Sequence, residues 1–186
     1  MTIYIGLLRG INVGGKNKIK MAELRDALEN ESFKNVKTYI QSGNVVFESD
    51  QKEEVLCKEM ESAIKEHFGL TVPVILRTAE EWQGIRENCP FHAEQISKAE
   101  ASAVGESLYV AILSKPLSKE EEEKVIAVAS DKEECDMNGR EIYLLFHDSI
   151  RNSRLANKVA SFDSHVTVRN WKTINKLSEM VKSMPS

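Results

Sequence analysis

Val36-Lys37-Thr38-Tyr39-Ile40-Gln41-Ser42-Gly43-Asn44-Val45-Val46-Phe47-Glu48 is the stretch on which the fold turns. Residues 36–40 and 45–48 are rich in β-branched and aromatic side chains, and the glycine-containing Gln41-Ser42-Gly43-Asn44 between them reads as a hairpin turn. Just upstream, Met21, Leu24, Ala27 and Leu28 recur at helical spacing among charged residues, which predicts a short amphipathic helix. Downstream, Val55, Met60, Ile64 and Phe68 predict a second helix within residues 51–68, with Gly69 placed to end it in the left-handed conformation. Outside both helices lie apolar runs at residues 3–8 and 72–77, the pattern of buried strands. The order β-α-β-β-α-β is the ferredoxin-like arrangement, in which an antiparallel sheet carries both helices on one face.

The second half repeats this order. Residues 107–113 read as a strand, and Ser118 with Glu121 forms a capping box for a helix. Residues 133–138 and 141–147 flank Asn138-Gly139, the preferred chemistry of a tight hairpin. A helical spacing over residues 155–162 and a strand at 166–169 complete the set. Arg77-Thr78 and Arg169-Asn170 each lead from a last strand into a further helix, the first opened by a Thr78/Glu81 capping box and stopped by Cys89-Pro90. The expected fold class is α+β, two ferredoxin-like subdomains from an internal structural duplication, each followed by an extra helix. The expected boundaries are 1–90 and 107–186, joined by a connection over 91–106 where periodicity is weak.

With 186 residues, 41% hydrophobic and 29% charged, the chain is large enough to bury a core without disulfide or metal staples. Its 25 basic and 29 acidic side chains leave a formal charge of −4, which excludes a surface built throughout for polyanions, so any anion site must be local. Cys57, Cys89 and Cys135 are odd in number and unpaired in spacing, suggesting neither a disulfide framework nor a zinc knuckle. His67, His92, His147 and His165 show no metal-ligand spacing and no evident acid partner, so each is expected to be structural, and neither metal nor cofactor is expected. The apolar run at residues 3–8 is too short for a secretory core or a membrane span, and a cytoplasmic protein without a membrane partner is expected. Oligomeric state is left open.

Candidate chemistry gathers in Arg9-Gly10-Ile11-Asn12-Val13-Gly14-Gly15-Lys16-Asn17-Lys18-Ile19-Lys20, which holds four cationic side chains and no acid. Its glycines allow backbone N–H groups to converge on one point, and such donors beside lysines make an oxyanion or phosphate cradle. The bland alternative is a solvated loop whose glycines serve turn geometry. Residues 10–17 approach the phosphate-loop pattern, but Asn17 stands where the magnesium-binding hydroxyl belongs, and a nucleoside-triphosphatase is not expected. Gln41, Ser42 and Asn44 offer two amides and a hydroxyl for reading a ligand's polar edges, although a turn uses such residues anyway. Arg169-Asn170-Trp171 places a guanidinium, a helix N-cap and an aromatic at the end of the last strand. The candidate ligand-binding set is therefore Arg9, Asn12, Gly14, Gly15, Lys16, Lys18, Gln41, Ser42, Asn44, Arg169, Asn170 and Trp171. No residue is assigned a catalytic role.

The run Leu7-Leu8-Arg9-Gly10-Ile11-Asn12-Val13-Gly14-Gly15-Lys16-Asn17, with Met21-Ala22-Glu23-Leu24-Arg25, Tyr39-Ile40-Gln41-Ser42-Gly43-Asn44-Val45 and the late Arg169-Asn170-Trp171, resembles the bacterial family named domain of unknown function 1697. The resemblance implies two ferredoxin-related subdomains and brings no activity, cofactor or catalytic residue with it.

Four functions compete. The first is binding of a small phosphate- or carboxylate-bearing ligand, nucleotides included, at the Arg9 loop together with Gln41, Asn44 and Arg169. The end of the first strand and the hairpin need not share one end of the sheet, so their convergence is the open step of that reading. The second is single-stranded RNA binding, because Ile3-Tyr4-Ile5-Gly6-Leu7 resembles the first-strand motif of RNA-recognition domains, although the third strand supplies only one aromatic. An enzyme acting on a phosphorylated metabolite and a protein-interaction scaffold complete the set.

Overall fold

The structure, a computed structural model, describes residues 1–185. Its contacts divide the chain into two units, Met1–Gly84 joined by the chain from Asn175 on, and Ile85–Ile174.

In the first unit the order is β1 (Thr2–Leu8), α1 (Met21–Glu29), β2 (Lys34–Tyr39), β3 (Asn44–Ser49), α2 (Glu53–Phe68), β4 (Val74–Thr78) and the start of α3 (Ala79–Glu87). The sheet is antiparallel with strand order β2-β3-β1-β4, the ferredoxin-like order. Alternation along β1 sends Tyr4 and Leu8 toward the helices, where they join Leu24 and Leu28 of α1, and Met60 and Ile64 of α2, in one buried cluster. Phe47 anchors it, stacked on Tyr4 with ring centroids 5.6 Å apart and edge-on to Phe33 at 4.9 Å. The helix ends obey local chemistry. Gly69 caps α2 at φ 68° with its N–H donating to the Lys65 carbonyl, and Thr78 and Glu81 exchange the two hydrogen bonds of a capping box.

The second unit completes α3 and continues with α4 (Ala93–Ser102), β5 (Leu108–Leu113), α5 (Lys119–Ala127), β6 (Glu133–Asn138), β7 (Glu141–Phe146), α6 (Arg154–Ala160), a short 3-10 turn (Asp163–His165), β8 (Val166–Asn170) and the first residues of α7 (Trp171–Lys182). Its sheet has the matching order β6-β7-β5-β8. Asn138 pairs with Glu141, so the two-residue loop is Gly139-Arg140 with Gly139 at φ 60°, one residue further on than the Asn-Gly turn the sequence suggests. Ala111, Leu113, Ile142, Leu144 and Phe146 face Val125, Leu155 and Val159 of the helices.

Residues 91–106 are not a bare connection. They contain α4, whose short apolar face escapes periodicity because only Ala99 of it is fully buried, while Ile96 contributes a partial contact. Ala99 packs with Leu108 and Leu145 on the sheet face opposite α5 and α6, joined by Phe91 and Trp171. By contacts, the division between the two units falls within α3 and α7. Among the described residues, no helix is long and apolar enough to cross a membrane.

Candidate functional site

The segment after β1 folds as a small hairpin rather than a ring of converging amides. Asn12 N–H donates to the Asn17 carbonyl and Lys16 N–H to the Val13 carbonyl, both at 3.0 Å, and Val13 and Lys16 form a β-bridge. Gly14 and Gly15 make the two-residue turn at φ 57° and 76°, the left-handed pair that such a turn demands. The expected cradle is thereby corrected: the glycines here serve turn geometry, and the Asn12, Lys16 and Ile19 amides are bonded within the loop.

Asn12 pins this finger at its base. Its Oδ1 accepts from Ile19 N–H at 2.9 Å, and its Nδ2 donates to the carbonyls of Ile19 at 2.9 Å and Gln41 at 2.7 Å. Asn17 Nδ2 donates to the Gly10 carbonyl at 3.0 Å, closing the other side. Both asparagines sit at positive φ, a conformation their short polar side chains tolerate. Below the finger Ile11 and Ile19 are buried, which holds the base of the finger on the core.

The loop and the β2–β3 turn do meet at one end of the sheet, within the first unit. Because β1 runs antiparallel to β3, Leu7 lies opposite Asn44, and Leu8 N–H donates to the Gly43 carbonyl at 2.9 Å. Gly43 is packed so closely that a Cβ there would lie 2.7 Å from Ile11 Cδ1 and 2.8 Å from Leu8 Cβ. Gln41 and Ser42 are exposed on this turn. Asn44 is buried, its Nδ2 donating to the Tyr39 carbonyl and to Ser42 Oγ, both at 3.0 Å, so it holds the turn's shape. Lys16, Lys18 and Lys20 are exposed and make no ion pair among the described residues, and Arg9 is half-buried. Val13 and Ile40 expose 65% and 46% of their surface beside these cations, giving the face two apolar contacts.

Arg169, Asn170 and Trp171 lie in the second unit, and their groups are occupied by architecture. Arg169 is buried; its Nη1 donates to Thr167 Oγ1 at 2.6 Å and to the Val168 carbonyl at 3.0 Å, and burial pushes its pKa down to about 10. Arg77 occupies the same place in the first sheet. It pairs with Ile5 as Arg169 pairs with Val110, and its Nη1 donates to the Leu76 carbonyl at 2.9 Å. A feature repeated in both halves belongs to the duplicated fold. Asn170 Oδ1 accepts from Thr173 N–H at 2.9 Å as an N-cap, and Trp171 packs against the α4 cluster.

The stacking platform of an RNA-recognition sheet is missing from both units among the described residues. In RNA-recognition domains the stacking aromatics stand on the sheet face away from the helices. Here Tyr4 and Phe47 point into the helix-side core, as do Tyr109 and Phe146 in the second unit, and the opposite face of β1 and β3 presents buried Ile5, Leu7 and Val46.

One histidine does have an acid partner. His147 Nε2 lies 2.8 Å from Glu134 Oε2, across the end of the β6–β7 hairpin, a contact brought about by the strand register and not by any local motif. His165 Nδ1 lies 3.2 Å from Ser114 Oγ. Among the described residues, no group of three or more His, Cys, Asp or Glu side chains could hold a metal ion.

The family described as "Protein of unknown function (DUF1697)" matches residues 1–143. Among solved structures, the chain is similar to "conserved bacterial protein SP0830 from Streptococcus pneumoniae", with 28% identity and a TM-score of 0.72, over 97% of this chain and 98% of that one. No curated protein matches. The matched residues take in the finger, the β2–β3 turn and most of the second sheet, and the chain therefore belongs to the DUF1697 family of proteins of unknown function.

Proposed function

We propose that the finger over residues 9–20, with the neighbouring turn, binds a phosphate- or carboxylate-bearing ligand such as a nucleotide. The observation that carries this reading is the set of three exposed lysines without acidic partners, Lys16, Lys18 and Lys20, on a hairpin pinned by the three hydrogen bonds of Asn12. Cations held on a rigid, acid-free projection in a chain of net negative charge concentrate positive potential at one place.

The division of labour differs from one in which every polar residue touches the ligand. Lys16 and Lys18 supply charge, Gly14 and Gly15 bring unhindered backbone close, and Arg9, Gln41 and Ser42 extend the polar surface. Asn12 and Asn44 shape it from beneath. Ile40 adds support, since a β-branched residue at φ 47° on the surface is strained, and strain of that kind gathers where a loop must hold one shape for recognition.

The test is a calorimetric titration of the whole chain with ATP and with a short single-stranded RNA at two salt concentrations, repeated on Lys16→Glu/Lys18→Glu. Binding of ATP that weakens at least about tenfold in the double variant is expected. A shallow salt dependence fits a small ligand; tight RNA binding that collapses with salt moves the assignment to a polyanion. Equal affinity in the native and charge-reversed chains overturns the site.

A further inference from the structure

The second unit carries an open cavity of about 650 Å³ between α4 and the end of the β6–β7 hairpin, lined by Gln95, Lys98, Lys132, Glu134, His147 and Asp148 among others. Its volume suits a metabolite-sized ligand.

At its edge is an organised pair. A carboxylate can only accept, so with His147 Nε2 2.8 Å from Glu134 Oε2 the ring nitrogen Nε2 carries the proton and donates. In the neutral ring the lone pair is then on Nδ1, which has no hydrogen-bond partner among the described residues. Glu134 is fixed in turn, its Oε1 accepting from Gln95 Nε2 at 3.2 Å. The backbone of His147 is held on both sides: its N–H donates to the Lys132 carbonyl at 2.8 Å, and its carbonyl accepts from Ser102 Oγ at 2.7 Å. An incidental surface ion pair needs none of these supports and contributes little. Here the acid orients the imidazole, and neighbouring groups orient the acid, as in a base with its orienting group.

The charges around the pair narrow the ligand. Gln95, Lys98 and Ser102 follow one another at helical spacing, and the hydrogen bonds of Gln95 and Ser102 turn that face of α4 toward the hairpin. Lys98 lies between them and forms no ion pair among the described residues, whereas Lys132 Nζ is 3.8 Å from Asp148 Oδ2. Asp131 and Asp148 also line the cavity and repel a polyanion. We propose that this cavity is a second binding site, distinct from the finger, for a small anion bearing one phosphate or carboxylate and a hydroxyl. Lys98 receives the anionic group, and His147 Nδ1 accepts the hydrogen bond of the hydroxyl. Glu134 is a positioning residue.

The experiment is histidine-selective nitrogen-15 NMR of the full chain during titration with glycerol 3-phosphate, with inorganic phosphate as the probe lacking hydroxyl-bearing carbon. A saturable shift of the His147 Nδ1 resonance is expected with glycerol 3-phosphate, leaving His67 and His92 unmoved. Lys98→Ala, an exposed helix substitution that keeps the fold, weakens saturation at least about tenfold. Glu134→Gln redistributes the His147 tautomers and with that weakens saturation by glycerol 3-phosphate, the second effect being one that a purely structural pair does not give. An unmoved Nδ1 resonance at millimolar glycerol 3-phosphate overturns the proposal, as does a shift that survives Lys98→Ala or that inorganic phosphate reproduces in full.

Discussion

Asn12 Nδ2 donates to the Gln41 carbonyl at 2.7 Å, tying the finger after β1 to a turn 29 residues further along the chain. The same side chain exchanges two hydrogen bonds with the main chain of Ile19, so one carboxamide closes the finger on itself and fastens it to its neighbour. Removing it should cost stability and ligand binding together, although it does not face the proposed ligand.

Two substitutions separate its contributions. Asn12→Gly keeps the left-handed backbone at φ 55° and loses only the side-chain bonds, which should cost about 1–3 kcal/mol. Asn12→Ala should cost roughly 1 kcal/mol more, because alanine resists that conformation. Urea unfolding at unchanged m-value measures both, and equal midpoints for Asn12→Ala and the native chain would rule the pin out.

Glycines of the same region should respond very differently to alanine. At Gly43 a methyl group meets Ile11 and Leu8 below 3 Å at φ 88°, so Gly43→Ala combines overpacking with backbone strain and should cost about 2–4 kcal/mol. At Gly10, Gly14 and Gly15 nothing lies within 4 Å, and only the conformational penalty of about 1 kcal/mol applies. Thermal unfolding of the four variants checks the ranking; a Gly43→Ala protein no less stable than Gly14→Ala would contradict the close approach.

How far the sequence discloses these features depends on how local their causes are. The Thr78/Glu81 and Ser118/Glu121 boxes and the Gly69 cap each act within a few residues, and all stand in the structure as the residue types dictate. The repeat of strand and helix order was legible for the same reason. Asn12 was less so: its residue type suits a ligand or a turn equally, and only the antiparallel pairing of β1 with β3 brings Gln41 within its reach. Glu134 and His147 are 13 residues apart and become neighbours through hairpin register, which composition and motif spacing do not express. Helix α4 carries no periodic signal because its burial is supplied by distant Leu108 and Leu145, not by an apolar stripe of its own.

Ile40 should be improvable for stability. A β-branched residue in the left-handed region carries a penalty of about 1–2 kcal/mol, and this one is 46% exposed, so little packing offsets it. Ile40→Asn should raise stability by about 1 kcal/mol, or roughly 2–4 °C in Tm, since asparagine accepts that conformation. If the apolar tip contributes to recognition, the same variant binds ligand more weakly while melting later. A lower Tm would show that Ile40 is not strained.

Alkaline stability should report on the buried tyrosines. Tyr143 is buried with its hydroxyl donating to the Ile85 carbonyl at 2.6 Å; burial first, then the charges of Glu141, Cys89 and Asp136, push its pKa well above the ordinary value of 10.0. Burial likewise raises Tyr4, aided by Glu53 and Glu81, and Tyr109, aided by Glu106. For each, the folded chain keeps a proton that the unfolded chain releases near pH 10, so the stabilisation is complete below that pH and declines as pH rises through it. Tyr143→Phe removes one of these groups and leaves the Ile85 carbonyl without its donor, costing about 1–2 kcal/mol at neutral pH. Because phenylalanine cannot ionise, the variant loses stability less steeply above about pH 10, and the two curves should draw together. Urea unfolding from about pH 8 to about pH 11 measures this, and curves that stay parallel across that range would mean that Tyr143 ionises as readily in the folded chain as in the unfolded one.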